Sequence, residues 1–205
     1  MDRMPKKKQV QPRRRNAVAT RAAILGSARL AFARAGYDGA GVREIAAGAG
    51  VTAMLVNRYF GSKEGLFAEV VADTMATPII ITDKVIKSAT PGASVAAALI
   101  ELTTPGSSPL DGFLIMLRST SSKRAAEIGR KVIEKHHYKA MLAALSGDAA
   151  AERAALVLSL IAGFQMMRQM IGLKALVKVE PNALLKALAP MFQQLIGAGG
   201  SSQKR

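Results

Sequence analysis

The 205-residue sequence contains no cysteine and no tryptophan, and only 4% of it is aromatic. Without cysteine there is no disulfide framework, no thiolate nucleophile and no cysteine-based zinc or iron–sulfur site; a reducing, cytoplasmic setting is expected. Long hydrophobic runs are also missing. The best uncharged stretch in the apolar half, Ala154 to Met167, is bounded by Arg153 and Arg168 and falls short of the about 18 apolar residues a membrane span needs. The basic N-terminus is followed by Arg21, Arg29 and Arg34 rather than by an apolar run, which disfavours a secretory signal. No Walker loop, Gly-x-Ser-x-Gly elbow or dinucleotide fingerprint occurs, so neither an enzymatic activity nor a cofactor is expected.

Acidic residues are scarce: 14 Asp and Glu stand against 29 Lys and Arg, a net charge of +15. The excess is concentrated at the front, where residues 1–60 carry +9. Arg3, Lys6, Lys7, Lys8, Arg13, Arg14 and Arg15 lie in a stretch with almost no apolar residue, which cannot offset its own ordering entropy. Residues 1–16 are therefore expected to be a disordered basic arm, either a solvated tail or an arm that tracks DNA phosphates. What the chain has in quantity is aliphatic side chains, with 50% of residues hydrophobic and Ala and Leu frequent. That balance points to an all-α fold.

Turn and cap signals divide the chain. Thr20 is the expected N-cap of a first helix in which Ile24, Ala28, Ala31, Phe32 and Ala35 recur at helical spacing, with Gly36 as C-cap. A short second helix is expected over 42–48. Gly50 closes it, Thr52 caps a third whose inner face carries Val56 and Phe60, and Ser62 caps a fourth that buries Leu66, Phe67, Val70 and Val71. Further helical segments are expected over 79–88, 94–103, 109–119 continuing into 122–145, 149–171 and 181–196, with a flexible tail over 197–205. The β-branched run Pro78 to Thr82 has no partner strand.

Residues 42–60 have the makings of a helix-turn-helix. Ala46 is small where two helices must approach, Gly50 sits at the tight turn, and Ile45, Val51 and Val56 close a small core. At about 100° per residue, turning Val56 and Phe60 inward turns Met54, Asn57 and Arg58 outward. Arg pairs bidentately with guanine, Asn with adenine, and Met contacts a thymine methyl, so the set suits base reading in a major groove. Thr52 places a hydroxyl at the positive end of that helix, where a phosphate oxygen is stabilised, and Arg43 and Lys63 flank it.

The stretches from Thr20 through Gly36-Tyr37, Val42 through Thr52, and Asn57-Arg-Tyr-Phe-Gly-Ser-Lys-Glu-Gly-Leu-Phe67 resemble the DNA-binding domain of the TetR/AcrR family of bacterial transcriptional regulators. The resemblance covers about residues 17–70. It implies that Thr52, Tyr59 and Lys63 contact phosphates, that Arg43 lies near the backbone, and that Ala53, Met54, Asn57 and Arg58 face base edges. Two positions depart from the family pattern. Gly41 stands where Ser or Thr is common, removing a cap and a phosphate contact, and Asn57 stands where an aromatic is common, which alters the operator.

The resemblance further implies a helical C-terminal domain over 63–196, following a DNA-binding domain over 17–62, with its last two long helices forming a four-helix dimer bundle. Leu156, Leu160, Ile161, Phe164, Leu184, Leu185, Leu188, Met191, Phe192 and Leu195 are more apolar than one intrachain core needs. The stretches 113–118 and 153–164 resemble one C-terminal subgroup of the family. Met116, Met141, Met166, Met167 and Met170 could line an adaptable pocket or fill core gaps. The family places an effector among these helices, which makes Phe113, Met116, Leu117, Tyr138, Phe164 and Met167 the pocket candidates and an apolar effector the expectation. Glu134 and His137 have the spacing of a di-iron ligand pair, but a single copy with two adjacent histidines excludes such a site, and no metal is expected.

The expectation is a dimeric regulator, most simply a repressor, that binds a palindromic DNA operator and leaves it when a small effector binds. The alternatives are a ligand-independent or sequence-tolerant DNA-binding protein that relies on its basic arm, and a helical enzyme or small-molecule carrier. The lack of paired titratable motifs argues against an enzyme.

Overall fold

The computed structural model describes residues 12–76, 79–107 and 110–197, with no strand among them. Helices α1 (Pro12–Gly39), α2 (Val42–Gly48), α3 (Ala53–Phe60) and α4 (Lys63–Met75) come first. They are followed by α5 (Asp83–Ile86), α6 (Pro91–Leu102), α7 (Asp111–Ser119) and α8 (Lys123–Ile133). A π-helical turn over Glu134–Tyr138 joins α8 to α9 (Lys139–Ala144). Helix α10 (Ala150–Gln165) likewise runs on through a π-helical turn over Met166–Met170, before α11 (Lys174–Val177) and α12 (Pro181–Gly197).

The first helix begins earlier than its capping signal. Residues 12–16, expected to belong to the disordered arm, are helical backbone, and Thr20 lies inside α1. Proline in a first turn sacrifices no hydrogen bond, and the arginines that follow are good helix formers, so helix growth runs past Thr20. The rest of the arm, residues 1–11, and the tail from 198 lie outside the described residues. At the other end of α1, Gly36 adopts φ 67° and breaks the helical path, as its C-cap role requires.

The chain forms two compact units. The first runs up to Val70 and takes in Leu114–Ala126; the second comprises Val71–Phe113 and the residues from Glu127 onward. The first unit thus reaches beyond the expected boundary at 62 and captures the end of α7. Its core holds Ile24, Ala28, Phe32, Ile45, Val56, Leu66 and Phe67, all buried. Ala35, expected on the inner face of α1, is exposed. Phe67 meets Phe32 and Tyr37 edge-on at 5.0 Å in both cases. The tie to α7 is polar: the Tyr37 N–H donates to Ser119 Oγ at 2.9 Å, and Arg118 donates to the Ala33 carbonyl. A side chain at Gly36 would fall 2.2 Å from the Arg118 carbonyl oxygen, so this approach needs glycine for space as well as for φ.

In the second unit α6 packs along α12, and the Gly92 N–H donates to Gln193 Oε1 at 3.0 Å. Val95, Leu99, Met141, Val157, Phe164, Leu184, Leu188 and Phe192 form its core. The segment expected as a helix over 79–88 is helical only at α5, because Ile80 and Ile81 insert into that core from a bend in the chain and Thr82 then caps the turn, accepting from the Val85 N–H. The turn expected between 172 and 181 contains the short α11. Ala150–Met170 is long and apolar enough to cross a membrane by length and composition alone, with the two arginines that bound its uncharged run inside it. The helix passes through both arginines because each is buried and bonded inside the unit. Arg153 donates to the carbonyls of Asp148, Leu195 and Ser146, and Arg168 to those of Leu176 and Ile100.

Candidate nucleic-acid interface

Helices α2 and α3 are joined by Ala49 to Thr52, where Gly50 takes φ 67° and the Val51 N–H returns to the Ala46 carbonyl at 2.9 Å. Only a residue tolerant of that conformation turns the chain so tightly. Ile45 and Ala46 on α2 and Val56 and Phe60 on α3 are buried, which fixes the rotation of α3. The Thr52 hydroxyl oxygen accepts from the Leu55 N–H at 3.3 Å, and its own proton stays available to an outside acceptor. At α2 the Gly41 cap contributes no side-chain hydrogen bond, as its departure from the family pattern implies.

With that rotation set, Met54 is 79% exposed and Asn57 and Arg58 are exposed beside it. Thr52 and Arg43 are exposed as well, while Ala53, Tyr59 and Lys63 are half-buried. Arg21 and Arg34 are ion-paired to Glu69 and Glu44, and Arg21 also lies 5.1 Å from the centre of the Phe60 ring. Arg43 and Arg58 have no ion-pair partner among the described residues. Two cations without an ion-pair partner among the described residues thus flank and occupy the outward face of the helix-turn-helix.

Lys63 is held in a way its sequence context did not reveal. Its Nζ stands 4.7 Å from the centre of the Tyr37 ring, an attraction between a cation and a π face. The Tyr37 hydroxyl is pushed up to about 12 by burial and then by its hydrogen bond to Glu64 and that carboxylate's charge. It stays protonated and donates to Glu64. The Glu64 carboxylate is held below its usual range first by its own backbone N–H, then by Ser62 and Tyr37. Ser62 caps α4, its Oγ accepting from the Gly65 N–H at 3.1 Å. The Lys63–Glu64 adjacency after a capping serine was the available signal; the ring came from residue 37, beyond the reach of helical periodicity.

The pocket candidates are divided between the two units. Met116 and Leu117 belong to the first unit, because the end of α7 is tied to α1, whereas Phe113, Tyr138, Phe164 and Met167 belong to the second. Phe164 is buried in the second core with Tyr138 packed against that core, and Met167 is 39% exposed. Met141 is fully buried and fills the core. His137 turns inward, its Nε2 donating to the Met75 carbonyl at 2.8 Å. Among the described residues no group of acidic or histidine side chains is placed to hold a metal.

A two-helix turn whose outer helix is polar and cationic, closed onto a small core by α1 and α4, defines a helix-turn-helix DNA-binding protein. Comparison with known families agrees and names it. The family described as "Bacterial regulatory proteins, tetR family" matches residues 24–70, and "Tetracyclin repressor-like, C-terminal domain" matches residues 90–196. The chain belongs to the TetR family and is a transcriptional regulator. No curated protein matches the sequence. Among solved structures, Salmonella enterica GusR is similar with TM-score 0.70 at 15% identity, covering 93% of this chain and 100% of that one. A TetR-family regulator from Streptomyces coelicolor A3 is 21% identical with TM-score 0.56, covering 94% and 99%. FadR from Bacillus subtilis, solved with stearoyl-CoA, is 16% identical with TM-score 0.63, covering 86% and 97%.

Proposed function

We propose that this regulator is a repressor that binds a palindromic operator as a homodimer and is released by a small, mostly apolar effector. The observation that carries the reading is the outward face of α3, where Met54, Asn57 and Arg58 stand exposed with Arg58 unpaired. In this reading those three and Ala53 meet base edges, while Thr52, Tyr59, Lys63 and Arg43 hold phosphates. The dimer is supported by what α10 and α12 leave uncovered. Ala151, Ala155, Leu156, Ser159 and Ala162 are exposed along α10, and Ala183, Ala187, Pro190 and Met191 along α12, with Leu156 at 53% and Met191 at 49%. A symmetric contact through these faces pairs two α3 helices on one duplex.

Release is a population shift, in which the effector lowers operator affinity by its differential affinity for the two arrangements of the dimer and no more. The aliphatic second core supports an apolar effector. The similar FadR structure holds an acyl thioester, so the fold accommodates an acyl ligand in at least one protein. With DNA and effector as its partners, the protein works in the cytoplasm and has no catalytic role in this reading. Sedimentation of the protein with a selected duplex tests it: two chains per duplex are expected, reduced by a Leu156→Arg substitution. Saturation at one chain per duplex contradicts it.

A further inference from the structure

Gln165, Arg168 and Gln169 lie within about one turn of each other where α10 enters its π-helical turn, in the unit that holds the apolar core around Phe164. Gln165 and Arg168 are each 4% exposed. The Arg168 guanidinium donates from Nε to the Leu176 carbonyl at 3.1 Å. Its Nη1 donates to the Ile100 carbonyl at 3.0 Å and to Thr103 Oγ1 at 3.1 Å, and the group stands 5.8 Å from the Phe164 ring centre. All of these partners are neutral, and no carboxylate pairs with Arg168 among the described residues. Buried charges are ordinarily paired, and a guanidinium's strongest partner is an oxyanion.

The neighbouring amides are incomplete in a complementary way. Gln165 Nε2 is buried and has no acceptor. Gln169 Nε2 donates to the Leu102 carbonyl at 3.3 Å and to Ser107 Oγ at 2.9 Å, which fixes the orientation of its amide and leaves Oε1 buried without a donor. Unsatisfied buried polar atoms are few in folded proteins. Here a donor and an acceptor of that kind accompany an uncompensated cation.

The geometry points to a binding site at Gln165, Arg168 and Gln169 for the carboxylate of an amphipathic organic acid that also carries an O–H or N–H donor. The carboxylate accepts from Arg168 and Gln165 Nε2, the second group donates to Gln169 Oε1, and the apolar body meets the surrounding core. One buried cation balances one negative charge, which selects a carboxylate over a doubly charged phosphate. As an account of effector chemistry this rests on the effector reading above. It adds a polar, anionic head to the mostly apolar ligand.

The test titrates the full-length protein with a hydroxydecanoate, with decanoate and with the methyl ester of the hydroxy acid, following heat of binding and Tm. The hydroxy acid is expected to bind and raise Tm, decanoate to bind more weakly, and the ester to bind at least about tenfold more weakly than the acid. Arg168 also holds the end of α6, so the informative variant is Gln165→Leu, which removes no hydrogen bond. It is expected to raise the Tm of the unliganded protein and weaken the acid by about tenfold. Equal binding of acid and ester, no binding of any of the three, or a lowered Tm for unliganded Gln165→Leu overturns the site. The effect on operator binding is scored separately. Acid that binds through Gln165 without releasing DNA leaves the site standing and removes the effector reading, whereas ester that releases DNA while acid does not bind does the reverse.

Discussion

The unit built from α1 to α4 and the unit built around α6, α10 and α12 place their polar groups differently. In the first, Arg21 and Arg34 are paired at the surface, Arg118 is tied to the Ala33 carbonyl, and Arg43 and Arg58 stand without an ion-pair partner on the outward face. In the second, two arginines are buried against backbone carbonyls, and two buried amide atoms have no partner. Charge facing outward suits a rigid reader of a polyanion, since every cation left free adds to phosphate attraction. Polar groups held inside and incompletely satisfied suit a unit whose preferred arrangement depends on what it binds.

The comparison breaks first at the aromatic cluster. Phe67 is fully buried against Phe32 and Tyr37, so Phe67→Ala is expected to cost about 3–5 kcal/mol and to unfold the first unit before the second in a denaturant titration followed by circular dichroism. Simultaneous loss of both units would show that they unfold as one. In the second unit, Arg153→Met strips donors from the carbonyls of Asp148, Leu195 and Ser146 and is expected to cost about 2 kcal/mol, read as a lowered Tm with operator affinity retained in the cold.

A smaller effect sharpens the reading of the first unit. Arg58→Ala is expected to lose about 1–3 kcal/mol of operator affinity and relax one base position. Lys63→Ala is expected to weaken all sequences alike and lower the salt slope by about 1. Equal effects of both changes on every sequence would remove base reading from α3. The smallest effect belongs to His137, which is held below 6.5 by burial, the Met75 carbonyl opposing. Because the unfolded chain binds the proton more readily, this contribution is complete above 6.5 and is lost as pH falls toward the lowered value. His137→Gln is expected to flatten the decline of Tm over that window; an unchanged slope would assign the decline to other groups.

Local chemistry was legible in the sequence. Val42–Gly48, the Thr52 and Ser62 caps, the turn at Gly50 and the inward Val56 and Phe60 all follow from residues within a few positions of one another. The same signals oriented Met54, Asn57 and Arg58 outward. What periodicity did not disclose depends on residues far apart: the 82-residue span from Tyr37 to Ser119 that draws the end of α7 into the first unit, the Tyr37 ring beneath Lys63, and the inward use of Arg153 and Arg168. An arginine at the edge of an apolar run reads as the end of the run. It can equally be a buried tie to carbonyls on another helix, and only the tertiary arrangement distinguishes the two.

In the proposed function α3 reads bases on behalf of a dimer. Selection of bound sequences from a random duplex pool at about 0.15 M salt, where nonspecific phosphate attraction is screened, tests it most directly. A palindromic motif with two half-sites is the predicted result. Retained binding with no motif would contradict it and assign the affinity to phosphate contacts alone.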